Sequence, residues 1–291
     1  MISLKTVLCP VDFSPATQRQ VDLAADLCRT FGARLVLHHN QHSLGTGASV
    51  GWMWKADHHG DGSASREAKL QEYRSRMPEG VTSDTLLTEG PVSRAVLAVS
   101  ESVQADLVVL TAHGTHSDEH QSITERVLEE GNRAVLVLHE PVVEPRTLRF
   151  ASAGGERQVV IAPTDLKPDS HAAVELGLEL ARRLPIELHL LHVIPNGFMR
   201  RGNGASEKDA RQQMLALLPA DLADRAQLHV EHGDPSEGIV RAADQFSASC
   251  IVMGEHARKS MKSWFSRGTS HEVLRHAHCP VWYVPGNTRA H

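Results

Sequence analysis

Val7-Leu8-Cys9-Pro10-Val11-Asp12-Phe13-Ser14 recurs in outline as Val160-Ile161-Ala162-Pro163-Thr164-Asp165-Leu166-Lys167, both copies reaching Pro-x-Asp. A chain that repeats itself in this way is built from two copies of one unit. The parallel continues downstream. Each copy runs into a helical pattern, Val21, Leu23, Ala24 and Leu27 in the first and Val174, Leu176, Leu178 and Leu180 in the second. Each then enters an apolar run, Leu35-Val36-Leu37-His38 or Leu188-His189-Leu190-Leu191-His192. Glu89-Gly90-Pro91 precedes Leu107-Val108-Val109-Leu110, as Gly233-Asp234-Pro235 precedes Ile251-Val252-Met253. Thr124-Glu125-Arg126-Val127-Leu128 leads to Ala134-Val135-Leu136-Val137-Leu138, as Ser270-His271-Glu272-Val273-Leu274 leads to Pro280-Val281-Trp282-Tyr283-Val284.

Short β-rich runs without alternation are strands buried on both faces, and here they alternate with amphipathic helices. Each copy therefore reads as a doubly wound α/β unit. The expected domains are residues 1–140 and 157–286, joined by a Pro-, Glu-, Ser- and Gly-rich linker at 141–156. Ser43–Ser65 carries five Gly and no hydrophobic period, and reads as an insertion between the second strand and the next helix. Its counterpart, Pro195–Ser206, is shorter. The last strands, Ala134–Leu138 and Pro280–Val284, would leave apolar sheet edges open, so the two copies are expected to pair through them.

Composition narrows function. At 291 residues the chain has room for two cores, and its net charge of −5 with mixed signs offers no field for phosphate backbones, so nucleic acid is not an expected partner. Cys9, Cys28, Cys250 and Cys279 show no Cys-x-x-Cys spacing and read as buried free thiols. The opening MISLKTVLCPVDFS lacks the basic and apolar regions of a signal peptide, and no apolar stretch nears the roughly 20 residues of a membrane span. The expectation is a cytoplasmic protein without membrane contact.

The order of elements, the opening V-x-x-P-x-D, the Gly-Pro or Gly-x-Pro turn and the closing V-L-R-H-A-x-C-P-V (Val273 to Val281) resemble the universal stress protein family, twice over in tandem. The resemblance implies a five-stranded parallel sheet per domain, of the adenine nucleotide hydrolase-like kind, with the two domains packed as an internal pseudo-dimer. A homodimer is also compatible with it. Some members bind ATP and others do not. Binders carry, after the fourth strand, Gly-x-x-Gly, a spacer and Gly-Ser or Gly-Thr, while the first-strand aspartate holds the adenine end. Glycines let amides approach phosphate oxygens, and the hydroxyl residue opens a helix whose N-terminus favours an anion.

Carried onto this chain, the resemblance implies a second-domain site of Pro163, Thr164, Asp165, Val193, Gly254, His256, Arg267, Gly268 and Thr269. Gly254-Glu255-His256-Ala257 keeps the first glycine and puts alanine for the second. The family spacer ends on Arg267-Gly268, and one extra residue restores Gly268-Thr269. In the first domain the corresponding residues are Asp12, Gly114 and Ser122, in a shorter loop. The family's apolar wall for the base is Val193 in the second domain and is read as His39 in the first; His38 and His192 are read as equivalent strand ends. ATP, with Mg, is the implied ligand.

Other readings stand beside this one. Asp12 and Asp165 are also placed to cap a turn. Arg258, Lys259, Lys262 and Arg267 suit either a polyphosphate or plain solvation, and Trp264 and Phe265 suit a partner or lipid but are read first as packing under the loop. His113, His116 and His120 fit zinc only on a helix, against which Gly114 argues, so no metal site is assigned. No P-loop, nucleophile elbow or nucleophile–base pair is present, so no catalytic residues and no enzyme are expected. The alternative function is a scaffold of the same fold that binds no nucleotide.

Overall fold

A computed structural model describes residues 4–41, 63–112, 122–139, 158–196, 207–255 and 268–285. Two compact units divide the chain, one spanning Leu4–Val108 and the other running from Val109 onward.

In the first unit, β1 (Thr6–Pro10) is a run of β-branched and apolar residues, and Val7, Leu8 and Cys9 have no exposed surface. α1 (Thr17–Phe31) follows, burying Val21, Ala24, Ala25 and Cys28 at helical spacing. Gly32 ends it in the left-handed conformation at φ 68°, its N–H bonding to the Cys28 carbonyl. β2 (Arg34–Gln41) pairs in parallel with β1, and beyond it lies β3 (Ser83–Glu89), also parallel. α2 (Ser63–Ser75) connects β2 to β3 and α3 (Val92–Ser102) leads on to β4 (Leu107–Ala112), whose first residues pair in parallel with β1 on its other side.

The insertion expected over Ser43–Ser65 is thus too long by three residues at its end. Ser63-Ala64-Ser65 form the first turn of α2, whose polar start conceals the helical spacing that begins to register only at the buried Leu70. The rest of that insertion, with the expected linker and the Gly197–Ser206 part of its counterpart, lies outside the described residues.

In the second unit, α4 (Ile123–Glu130) leads from β4 into β5 (Ala134–His139), which lies beside β4. From Gln158 the pattern repeats: β6 (Gln158–Pro163), α5 (Pro168–Arg183), β7 (Ile186–Ile194), α6 (Glu207–Ala216), a 3-10 turn (Ala220–Arg225), β8 (Ala226–His232), α7 (Pro235–Gln245), β9 (Cys250–Glu255), α8 (Thr269–His276) and β10 (Val281–Pro285). All pairings among these five strands are parallel and their order is β8-β7-β6-β9-β10. The fold is α/β, strands and helices alternating about a largely parallel sheet. β10 also runs antiparallel to β5, with Val281 opposite Val137, Trp282 opposite Leu136 and Tyr283 opposite Val135.

The strand order fixes where a ligand can sit. β6 leads outward through α5 to β7 on one side while β9 lies on its other side, so the carboxyl ends of β6 and β9 flank a crevice where the connections diverge. The turns after β3 and β8 use Gly90 at φ 107° and Gly233 at φ 142°, a backbone that side chains rarely adopt. No helix among the described residues is long and apolar enough to cross a membrane.

Candidate functional site

Thr164 and Asp165 leave the carboxyl end of β6. The Thr164 amide donates to the Leu191 carbonyl at 2.8 Å, keeping the chain beside β7 for one more residue. The backbone then turns sharply at Leu166, φ 64°, and Asp165 Oδ1 accepts from the Lys167 amide at 3.0 Å. Burial pushes the Asp165 carboxyl up, but hydrogen bonds from the Lys167 amide, the Ser170 hydroxyl and the Lys167 side chain, together with the Lys167 charge, hold it below its ordinary value. A bound ligand therefore meets a carboxylate.

Asp12 is built the same way. Val11 donates to the His38 carbonyl at 2.8 Å, Phe13 turns at φ 60°, and Asp12 Oδ1 accepts from the Ser14 amide and the Thr17 hydroxyl, each at 2.9 Å. Each aspartate thus caps its turn. A non-glycine residue in the left-handed region costs about 1 kcal/mol or more, and both copies accept that cost at the residue after the aspartate. Sequence reasoning passed over these two positions because bulky Phe and Leu give no sign of a left-handed turn. It also passed over Thr17 and Ser170, although a hydroxyl at the same distance after each aspartate was a readable signal.

Strand register corrects two equivalences. Pro10 lies opposite His38 and Pro163 opposite Leu191, so His38 corresponds to Leu191, His39 to His192 and Asn40 to Val193. Hydrogen bonds agree: His39 Nδ1 pairs with the Val11 carbonyl and His192 Nδ1 with the Thr164 carbonyl, both at 2.8 Å. The earlier pairing of His38 with His192, and of His39 with Val193, slipped by one residue because an apolar run carries no internal marker of register. The polar residue at the wall position of the first copy is Asn40, whose Nδ2 donates to the Gly90 carbonyl at 2.7 Å. Val193 falls within β7 rather than after it. The residue is 8% exposed, and a Cβ at Gly238 would lie 2.9 Å from its Cγ2, so it backs onto the first turns of α7.

His38 is buried, and burial, followed by the neighbouring His39, lowers it to about 4, with Nε2 2.7 Å from the Thr88 hydroxyl. Around Phe13 the rings of His39 and Tyr73 lie at centroid distances of 4.3 and 6.2 Å, and Lys69 Nζ is 5.7 Å from its ring.

Gly254 lies inside β9, opposite Val284 of β10, at the edge where Pro163 ends β6 and Thr164 follows it. Tyr283 pairs with Met253, and its hydroxyl donates to the Ser270 carbonyl at 3.0 Å, tethering the first turn of α8 to this part of the sheet. The second copy thus gathers Pro163, Thr164, Asp165, Val193 and Gly254 at one sheet edge and anchors Gly268 and Thr269 by the start of α8. His256 and Arg267 lie outside the described residues, as do Gly114, Ala257, the loop cations, Trp264, Phe265 and the histidines His113, His116 and His120. Among the described residues no group of three or more His, Cys, Asp or Glu is arranged to hold a metal ion.

The helix starts differ between copies. Ser122 caps α4: its Oγ accepts from the Glu125 amide at 3.1 Å, and its own amide donates to Glu125 Oε2 at 2.7 Å. Gly268, at the start of α8, makes no side-chain cap, and the residue matching Glu125 is His271. One start is closed by a capping carboxylate; the other carries Glu272 in its first turn, 3.4 Å from His276 and in no cap.

All four cysteines are buried and none is in a disulfide. Burial pushes Cys28 up to about 12 and also raises Cys9 and Cys250, so these thiols are inert packing.

A parallel α/β unit that occurs twice, with an aspartate turn at the carboxyl end of its first strand each time, defines the class of this molecule. The model of the universal stress protein family matches residues 3–139 and again 156–285, and the chain belongs to that family. Universal stress protein Sll1654 of Synechocystis is 29% identical over 145 residues, 47% of this chain and 87% of that protein. Two solved structures share the fold at 16% identity. A protein of unknown function from Pseudomonas aeruginosa PAO1 has a TM-score of 0.67, covering 97% of this chain and 93% of its own. A universal stress protein from Archaeoglobus fulgidus has a TM-score of 0.66 with 96% of each chain covered.

Proposed function

We propose that this chain is a cytoplasmic stress-response protein whose second copy takes an adenine nucleotide as a regulatory ligand. In this reading residues 1–140 and 157–286 are the two domains, 141–156 links them, and they work as an internal pair. The base lies by Thr164, Asp165 and Val193, and the phosphates meet Gly254 and the start of α8, with His256 and Arg267 contributing from the loop between. Mg arrives with the phosphates. The observation that carries the reading is the start of α8, where no side chain caps the first turn and its one acidic residue, Glu272, lies by His276 instead of closing a cap. A helix N-terminus without a side-chain cap favours an anion, whereas Ser122 and Glu125 occupy two donors at α4. Asp12, Gly114 and Ser122 therefore form the weaker candidate. The residues serve binding, not turnover.

The scaffold reading draws on a different observation: each aspartate is already engaged in its own turn. Calorimetric titration with Mg-ATP separates the two. Asp165→Ala should weaken binding about tenfold, corresponding to about 1.4 kcal/mol, while Asp12→Ala should change it less than about twofold. Equal losses overturn the assignment to the second copy. No binding by the unaltered protein makes the scaffold reading the better one.

A further inference from the structure

Where two copies of one unit meet edge to edge, a few positions face their own equivalents. Val135, Leu136 and Val137 match Val281, Trp282 and Tyr283 in the repeat, yet the antiparallel register sets Val135 opposite Tyr283, Leu136 opposite Trp282 and Val137 opposite Val281. Leu136 alone of these faces its own counterpart. A second self-facing pair lies on the helices, since Glu125 matches His271 and Glu125 Oε1 is 3.6 Å from His271 Nδ1, with side chains 12% and 18% exposed.

Both pairs are unlike. Leu136 and Trp282 are each 1% exposed, and directly opposed residues of an antiparallel pair are close neighbours, so a small side chain is matched with the largest. The Trp282 indole N–H is buried without a hydrogen-bond partner, so the indole fills space at this position rather than making a polar contact. On the helices a carboxylate meets an imidazole. His139 adds a one-way contact, its Nε2 lying 2.7 Å from the Leu274 carbonyl, whereas the matching residue Pro285 has no donor to return.

We propose that Leu136/Trp282 and Glu125/His271 are the specificity determinants of this joint. They make the edge of the first copy accept the edge of the second and reject a like edge from another molecule. First copy against first copy would set Leu136 against Leu136, leaving a gap, and Glu125 against Glu125, two partly buried carboxylates. Second copy against second copy would crowd two indoles. Specificity here comes as much from the mismatch in the wrong pairing as from the fit in the right one.

Charge and size swaps in the full-length chain test this. Leu136→Trp and Trp282→Leu should each lower Tm by about 5 °C, one by overpacking and one by a cavity, and the double swap should regain more than half of the summed loss. His271→Glu should lower Tm by about 2–4 °C. Glu125→His also breaks the α4 cap, so for this pair the coupling in the four-variant cycle is read rather than the single loss; the double swap should be more stable than the singles predict. If the size variants do not fold, the charge cycle decides alone. Strict additivity in the cycles that can be measured overturns the proposal, because positions that do not sense one another cannot choose a partner.

Discussion

The starts of α4 and α8 occupy the same place in the repeat and are closed differently. Ser122 and Glu125 satisfy one another across the first turn of α4. At α8 the matching turn runs Gly268-Thr269-Ser270-His271, with no side-chain cap and its Ser270 carbonyl tied to Tyr283. Two residue changes on one scaffold separate a helix start closed by side chains from one where the matching amide, that of His271, turns to the Gly268 carbonyl at 3.0 Å. A duplicated fold can thus diverge without moving a strand: the carboxyl edge is inherited, and the side chains at its helix starts set how each first turn is closed.

The largest contrast to test is buried in β2, where His38 stands at the position that holds Leu191 in β7. Burial and His39 hold His38 near 4 when folded, against 6.5 for an ordinary histidine. The unfolded chain therefore binds more protons between those values. Stability from this group is fully present above about pH 6.5 and is lost as pH falls toward 4, by about 3 kcal/mol in total. His38→Leu, borrowing the residue of the second copy, should remove that part of the acid dependence. Urea midpoints followed from pH 7.5 to 4.5, about the range concerned, check it, and parallel curves for the two proteins would mean that His38 titrates freely.

A smaller effect concerns the caps themselves. Ser122→Ala should cost about 1 kcal/mol by removing the acceptor at α4, whereas Gly268→Ala should cost less, roughly 0.5–0.7 kcal/mol, because glycine there already forgoes a side-chain cap. Equal losses in denaturant midpoints would erase the contrast between the two starts.

The smallest effect reverses the comparison. Gly268 has φ −73° and ψ 153°, which serine adopts without strain, so Gly268→Ser should add a few tenths of a kcal/mol by capping α8. On the nucleotide reading the same change should weaken Mg-ATP binding, since the new hydroxyl competes for the amides a phosphate would use. A variant that gains stability and binds ATP more tightly would show that α8 takes its ligand through side chains instead.

Sequence by itself determined the doubling, the α/β class and the position of both aspartates at strand ends, because these depend on periodicity and on short motifs whose spacing is local. The Pro-x-Asp turn, the apolar strands and the closing segment from Val273 could be read along the chain without knowing what lay beside them. Only the tertiary structure decided register. It moved the wall position of the first copy from His39 to Asn40, because counting from Pro10 and Pro163 across a strand pair needs the partner strand. It also disclosed that Phe13 and Leu166 sit left-handed, that Glu125 seals α4, and that Leu136 meets Trp282. Each of these is a relation between residues whose side chains meet only after strands are laid next to one another. A run of apolar residues states that a strand is buried; it does not state which residue of that strand faces which neighbour.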